Sequence, residues 1–179
     1  RTMNVASQHT YQVLTKRPHR MAAVMSRVSW DCNGDLKLGR FTSDDLALVG
    51  TQRQWYDVAA HMPQLWLGTS IEADRYTFRA DHLRATPAAV RFLSCEPLLG
   101  PLPSLDLTGI DWVIAGAEAG SGARPMDLGW VRDLRDRCVD ADVAFFLKQD
   151  ATPAGRKIPT PELDGEQWVQ MPQRKAVTA

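Results

Sequence analysis

Residues 90–97, with the sequence VRFLSCEP, decide the fold. The run from Val90 to Ser94 is mostly apolar on both of its faces, which is typical of a strand covered on two sides in a parallel sheet. Four more runs have the same character: Tyr11 to Thr15 (YQVLT), Leu65 to Thr69 (LWLGT), Asp111 to Ala115 (DWVIA) and Val143 to Leu147 (VAFFL). The sequence therefore predicts five buried strands.

Segments with helical periodicity separate these strands. The clearest is Leu128 to Ala141, whose apolar positions fall on one face and which Asp127 is placed to cap. The other predicted helices are His19 to Val28, Asp44 to His61 and Ala73 to Ala85. Because strands that alternate with helices build βαβ units, we predict an α/β fold, namely a partial parallel (β/α) barrel of about five βα units over residues 1–150.

The segments outside this pattern are predicted to be loops. Residues 31–42 are polar and contain glycine, so we expect a mobile loop there. The pattern also changes after residue 150, where Pro, Gly and Lys become frequent and an Asp164-Gly165 turn lies between two short apolar flanks. We interpret residues 151–179 as a C-terminal hairpin or strap and not as a second domain.

Composition excludes several classes of protein. The 179 residues are 44% hydrophobic and 23% charged, which is typical of a globular domain. Lys plus Arg and Asp plus Glu number 21 each, so no dominant charge would attract the protein to nucleic acid or to an anionic membrane. Since no apolar run has the ~20 residues of a membrane span, we expect a cytoplasmic protein.

Cysteine and histidine spacing predicts no metal site. Cys32, Cys95 and Cys138 are too far apart for a CxxC half-site, and we interpret them as free thiols. The four histidines show neither HxxxH nor HExxH spacing. The chain begins with Arg1 and not with Met, which suggests a piece of a longer protein.

Polar side chains follow all five predicted strands. Ligand sites in parallel α/β folds lie at the carboxyl ends of the strands, so these positions are the candidate binding residues. They are Lys16 and Arg17 after the first strand, Ser70 and Glu72 after the second, Glu96 after the third, Glu118 after the fourth, and Lys148 with Gln149 after the fifth. The alternative is a ring of salt bridges that only closes this end of the fold.

A glycine-containing loop, residues 117–125, follows the fourth strand and includes Arg124. Its glycines would let the backbone approach a ligand closely, and Arg124 could bind an anion. A plain flexible loop is an equally good interpretation.

Read in order, the blocks TYQVLTKRPHRM, LWLGTSIE, TPAAVRFLSCEPLLGPL, GIDWVIAGAEAGSGARPMD, FFLKQ and LDGEQWVQMP resemble a known family. It is a bacteriophage and prophage protein family that is similar to the radical SAM enzymes and is encoded beside a three-cysteine-motif partner protein. The resemblance covers residues 8–172 and marks this chain as the C-terminal part of such a protein.

The resemblance implies a [4Fe-4S] cluster and S-adenosylmethionine in a full-length form, with cluster cysteines in an N-terminal section. None of the three cysteines here matches them. The resemblance therefore implies that the polar residues at the carboxyl ends of the strands bind S-adenosylmethionine or substrate, and that this chain is inactive alone. Among these polar residues we assign Glu96 and Glu118 as candidates for proton transfer. The binding residues carried over by motif are Lys16, Arg17, Ser70, Glu72, Arg124, Lys148 and Gln149.

Two further expectations remain open. The chain could instead be a non-catalytic phage-derived module that binds nucleic acid or a protein, using the cations around Arg17 and Arg20. If strands before Tyr11 are missing, the exposed sheet edge there would favour self-association.

Overall fold

The computed structural model describes residues 8–30, 36–38 and 62–172. The strands within these residues are β1 (Tyr11–Thr15), β2 (Val28–Trp30), β3 (Leu36–Leu38), β4 (Leu65–Ser70), β5 (Val90–Cys95), β6 (Trp112–Gly116), β7 (Ala144–Ala151), β8 (Lys157–Pro159), β9 (Glu162–Leu163) and β10 (Glu166–Gln167). The helices are α1 (Pro18–Met25), a 3₁₀ turn (Asp74–Tyr76), α2 (Phe78–Arg84) and α3 (Leu128–Asp140).

A six-stranded sheet in the order β1-β4-β5-β6-β7-β8 forms the centre of the molecule. Its first five strands are parallel, and β8 is antiparallel to β7. All five predicted strands are therefore confirmed. β4 and β5 each end one residue later than predicted, β6 is shifted by one residue, and β7 begins one residue later and ends four residues later. The predicted barrel is not confirmed, because β1 and β8 are outer strands among the described residues and do not pair with each other.

The two faces of this sheet bury different side chains. Leu67, Leu93 and Val113 point into the larger core, to which α2 and α3 contribute Leu83 and Leu134. The opposite face carries a second buried cluster of mainly aromatic side chains, namely Trp66, Val90, Phe92, Trp112 and Ile114. Burial on both faces is the reason that these strands lack polar alternation in the sequence.

Gly68 of β4 provides space within the aromatic cluster. A Cβ atom at this position would overlap the ring of Phe92, which is 2% exposed. The Phe92 ring therefore lies directly over the backbone of β4. Trp112, which is paired with Phe92 on the neighbouring strand β6, has its ring centre 5.8 Å from that of Phe92.

The helices agree in part with the predictions. In α3, Asp127 caps the helix by accepting a hydrogen bond from Gly129 N at 2.6 Å, as expected. The helix predicted from Ala73 to Ala85 is instead divided into the 3₁₀ turn and the seven-residue α2. Helix α1 is shorter than predicted and ends at Met25.

Residues 31–42 include a short strand that the loop prediction missed. Leu36–Leu38 pairs antiparallel with Val28–Trp30, and the other residues of that interval lie outside the described ones. The predicted helix from Asp44 to His61 lies outside them entirely.

The predicted C-terminal strap is present and covers the free edge of β7. β8 pairs with residues 149–151, and further along Leu147 N donates to Trp168 O at 2.8 Å while Gln170 N donates to Phe145 O at 3.1 Å. In the chain between β8 and Trp168, strands β9 and β10 form the expected hairpin around Asp164 and Gly165. Both turn residues have positive φ, at 58° and 85°, as this type of tight turn requires.

Strand β1 is the outer strand on the other side of the sheet, and Leu14 within it is 49% exposed. The expected self-association through this region stays a prediction. None of the helices in the described part of the chain has the length and apolar character needed to cross a membrane.

Candidate functional site at the carboxyl ends of the strands

Parallel pairing brings the predicted polar residues to one end of the sheet. Ser70 of β4 is opposite Ser94 of β5, and Glu72 and Glu96 each follow two residues later. Gly116 ends β6 and pairs with Gln149 of β7, because the register shifts by one residue after the Ala115–Leu147 pair and leaves Lys148 between the two pairs. We call these side chains, with Lys16 after β1 and Arg79 of α2, the rim.

Glu72 is the most buried carboxylate of the rim. It is 5% exposed, and its Oε1 lies 2.6 Å from Lys16 Nζ. Arg79 Nη1 lies 3.1 Å from Glu72 Oε2 and also donates to Ser70 O at 2.8 Å. The Arg79 guanidinium in turn stacks on Tyr76, 4.2 Å from its ring centre. One buried carboxylate therefore joins α2 to the chain that follows β1.

These cations keep Glu72 ionised. Burial alone would raise the pKa of this carboxyl, but the hydrogen bond from Lys16 and the charges of Lys16 and Arg79 outweigh it, so the pKa lies below its usual range. With two cations and one carboxylate, this part of the rim has a net positive charge.

Glu96 forms a second centre between β5 and β7. Its Oε2 accepts hydrogen bonds from Ser94 Oγ at 3.2 Å and from Lys148 Nζ at 3.1 Å. Its Oε1 is buried and has no hydrogen-bond donor among the described residues. A buried carboxylate oxygen without a donor is costly, because its hydration is lost and not replaced.

Gly116 makes this position of Glu96 possible. A Cβ atom on Gly116 would be 2.9 Å from Glu96 Oε1 and 3.0 Å from Gln149 Cγ. The missing side chain thus lets the carboxylate lie against the backbone of β6.

Glu118 pairs within its own loop and not with a rim lysine. Its Oε2 accepts from Arg124 Nε at 2.7 Å, and its Oε1 accepts from Arg124 Nη2 at 2.8 Å. This two-point hydrogen bonding holds the pKa of Glu118 at about 2, so the carboxyl stays ionised at neutral pH. Glu118 and Glu96 lie at the same end of the sheet, but the pair with Arg124 keeps Glu118 deprotonated near neutral pH, so it has no proton to donate there.

The remaining predicted site residues have different positions. Gln149 links β7 to β6, since its Nε2 donates to Ala117 O at 2.6 Å and its own O accepts from Ala117 N at 3.0 Å. Arg17 is exposed at the start of α1, and its backbone N donates to Thr15 Oγ1 at 3.0 Å. Ser70 is buried and contributes its backbone carbonyl to Arg79. The structure therefore gives two charge centres, Glu72 with Lys16 and Glu96 with Lys148, and a separate Glu118–Arg124 pair.

Three residues of this arrangement were missed by sequence reasoning. Arg79 lies inside a helix among other charged residues, and Ser94 and Gly116 lie inside strands. Only Ser94 had an available signal, because it lies two residues before Glu96 and so shares its face of the strand.

The two cysteines that the structure describes, Cys95 at the end of β5 and Cys138 in α3, are buried free thiols. Burial, followed by the nearby Cys138, Glu96 and Glu72, raises the pKa of the Cys95 thiol. Burial also raises the pKa of Cys138 to about 12. Cysteine binds an iron-sulfur cluster as the thiolate, and within residues 8–30, 36–38 and 62–172 no group of three or more His, Cys, Asp or Glu side chains could hold a metal ion.

The fold and site define an α/β protein whose mainly parallel sheet carries paired charges at the carboxyl ends of its strands. The chain belongs to the family described as "Protein of unknown function (DUF5131)", whose model matches residues 1–172. No curated protein and no solved structure matches the chain. The family match supports neither a phage origin nor a relationship to the radical SAM enzymes.

Proposed function

We propose that the rim binds a polar small molecule and that S-adenosylmethionine, which the resemblance to radical SAM enzymes implies, is the first candidate. The observation that carries this proposal is Glu96 Oε1, a buried acceptor without a donor among the described residues. A ligand that donates a hydrogen bond to this oxygen would remove the cost of leaving it unpaired.

The charges around the rim favour a ligand with groups of both signs. The centre at Glu72 has two cations for one carboxylate, so an anionic group is favoured there. At Glu96 a single lysine is 3.1 Å from Oε2, which leaves Oε1 as an acceptor for an N–H or O–H group. S-adenosylmethionine has a carboxylate, an ammonium group and hydroxyl groups, and so presents both kinds of partner.

Glu96 is also the candidate for proton transfer within the proposed site. It lies between a hydroxyl donor and an ammonium group, and its side chain is 18% exposed. Glu118 has a different role in this proposal: it holds Arg124 and the glycine loop in place. Its pKa of about 2 means that it is deprotonated at neutral pH and donates no proton.

The [4Fe-4S] cluster implied by the resemblance does not fit the residues described here, so no radical step is assigned to this chain. We expect that the protein, reconstituted anaerobically with iron and sulfide, holds no stoichiometric cluster, since its three cysteines are far apart in the sequence and Cys95 and Cys138 are buried. Iron content and visible absorption provide the measurement. Stoichiometric iron with cluster absorption would contradict the expectation and identify the protein as competent alone.

Glu96→Gln tests the proposed binding site. We expect S-adenosylmethionine to bind the unchanged protein in isothermal titration and the variant to bind at least ~10-fold more weakly, because charge-assisted hydrogen bonds contribute about 1.5–3 kcal/mol. Thermal unfolding of the variant should stay close to that of the parent, since Gln keeps an acceptor for Ser94.

Glu166→Gln is the matched control, because it removes one exposed carboxylate from β10 in the C-terminal hairpin. It should leave binding unchanged. If the parent fails to bind S-adenosylmethionine, this candidate is excluded. Equal affinity of the parent and the Glu96 variant would show that the ligand lies elsewhere.

A further inference from the structure

A groove lies at the other end of the sheet from the rim. It has a volume of about 910 Å³ and is lined by the turn that enters β6, the end of α3, the turn that enters β7 and residues 170–172 of the strap. It is therefore formed at the amino ends of β6 and β7, where the rim contributes no residue. We call it the amino-end groove.

Apolar side chains line this groove and remain accessible. Val139 is 53% exposed and Met171 is 51% exposed, and both line the groove above the buried Ile110 and Val143. Exposed apolar side chains gathered at a concave surface mark sites of interaction.

The groove is also acidic. Asp142 lines the groove, and Asp140, the last residue of α3, precedes it by two residues; both are exposed and have no ion pair with any residue that the structure describes. The carbonyl end of α3 adds a partial negative charge at the same place. Of the two aspartates that line the groove, Asp111 interacts with Arg91, whose backbone N donates to Asp111 Oδ2 at 2.8 Å, and Asp142 contributes the exposed charge; no lysine, arginine or histidine lines the groove.

Four other carboxylates of the protein differ from Asp140 and Asp142 because they form ion pairs. Glu72, Glu96, Glu118 and Asp164 each lie within 3.2 Å of an arginine or lysine nitrogen. Asp140 and Asp142 have no such partner in the described part of the chain, and neither do Glu162 and Glu166 of the hairpin. What distinguishes the end of α3 is the accessible apolar surface of Val139 and Met171 beside it. A partner with positive charges and apolar side chains would match both properties.

We propose that the amino-end groove is the docking site for a basic amphipathic segment of a partner protein. Lysine or arginine side chains of that segment pair with Asp140 and Asp142, and its apolar side chains pack on Val139 and Met171. This interaction lies at the opposite end of the sheet from the rim, so it does not depend on the proposed small-molecule site.

The test uses a fluorescein-labelled 12-residue peptide built from Leu-Lys-Lys-Leu repeats, and its binding is followed by fluorescence anisotropy. The variant Asp140→Asn/Asp142→Asn removes both charges. Asn tolerates the positive φ of 54° at position 142, so the backbone of the turn is kept. We expect the double variant to bind at least ~10-fold more weakly and to lose most of the salt dependence of binding.

Three controls separate this site from non-specific attraction. Glu162→Gln/Glu166→Gln removes two exposed carboxylates from the C-terminal hairpin and should leave binding unchanged. Met171→Ser should weaken binding without changing its salt dependence, and a peptide with Glu in place of Lys should not bind. The proposal is overturned if the two double variants bind the basic peptide equally, or if the acidic peptide binds as well as the basic one.

Discussion

Replacing Gly68 with alanine is expected to cost about 3 kcal/mol of unfolding free energy. The added Cβ atom would overlap the ring of Phe92, and the ring is held between Gly68 and the neighbouring aromatic side chains. Forcing extra volume into a packed core typically costs ~1–3 kcal/mol, and this site is at the upper end because the neighbour is a rigid ring and not the end of a flexible side chain.

Urea denaturation gives the measurement, and a second substitution identifies the cause. Phe92→Leu in the Gly68→Ala background should recover part of the loss, because a smaller side chain leaves room for the new methyl group. Gly100→Ala is the matched control, since a Cβ atom there would contact nothing within 4 Å. Equal stability of Gly68→Ala and the parent would mean that the aromatic cluster is loosely packed.

The second large effect is expected for Glu72→Gln, which should lower the free energy of unfolding at neutral pH by about 2–3 kcal/mol. The substitution leaves Arg79, which is 13% exposed, without its charge partner, and removing one member of a buried ion pair is strongly destabilising. The expected loss is smaller than for a fully enclosed pair because Lys16 is 66% exposed.

The same substitution should change how stability depends on pH. The folded-state pKa of Glu72 is lowered, so its contribution is fully present above the unfolded-state pKa of ~4.3 and disappears as the pH falls through the lower folded value. The stability difference between the parent and Glu72→Gln should therefore be constant from pH 7 to 5 and become smaller below pH 4. A difference that grows on acidification would contradict the lowered pKa.

Glu118→Gln is the control for this experiment, since Glu118 is also a rim-side carboxylate paired with an arginine. Its partner Arg124 is 59% exposed, and an exposed ion pair stabilises a fold only weakly. We expect this variant to unfold like the parent protein. A loss as large as that of Glu72→Gln would show that the glycine loop is a structural element and not a surface loop.

The sheet was predictable because each strand is encoded locally. The run from Leu65 to Thr69 is mostly apolar on both faces, as expected of a strand that is buried on both sides of a sheet. The rim followed from a general rule, because parallel strands place their carboxyl ends together. Glu72 and Glu96 could therefore be placed at one end of the sheet from the sequence.

The partners of those residues could not be predicted. Arg79 contacts Glu72 because of how α2 packs on the sheet, and its position in a short charged helix gives no sign of that contact. The position of Glu96 depends on the absence of a side chain at Gly116, twenty residues further along the chain. Long-range packing of this kind leaves no periodic signal, and the same is true of β3 and β8, which are short strands in polar segments.

The way in which the strap covers β7 has a consequence for biosynthesis. β7 is made before residues 157–170, which provide backbone partners for its outer edge and place Leu163 in the main core. While these residues are still inside the ribosome, the nascent sheet has an open edge beside Phe145 and Leu147. Folding of the sheet can therefore be completed only after translation has passed residue 170, and until then the nascent sheet lacks the partners of its last parallel strand.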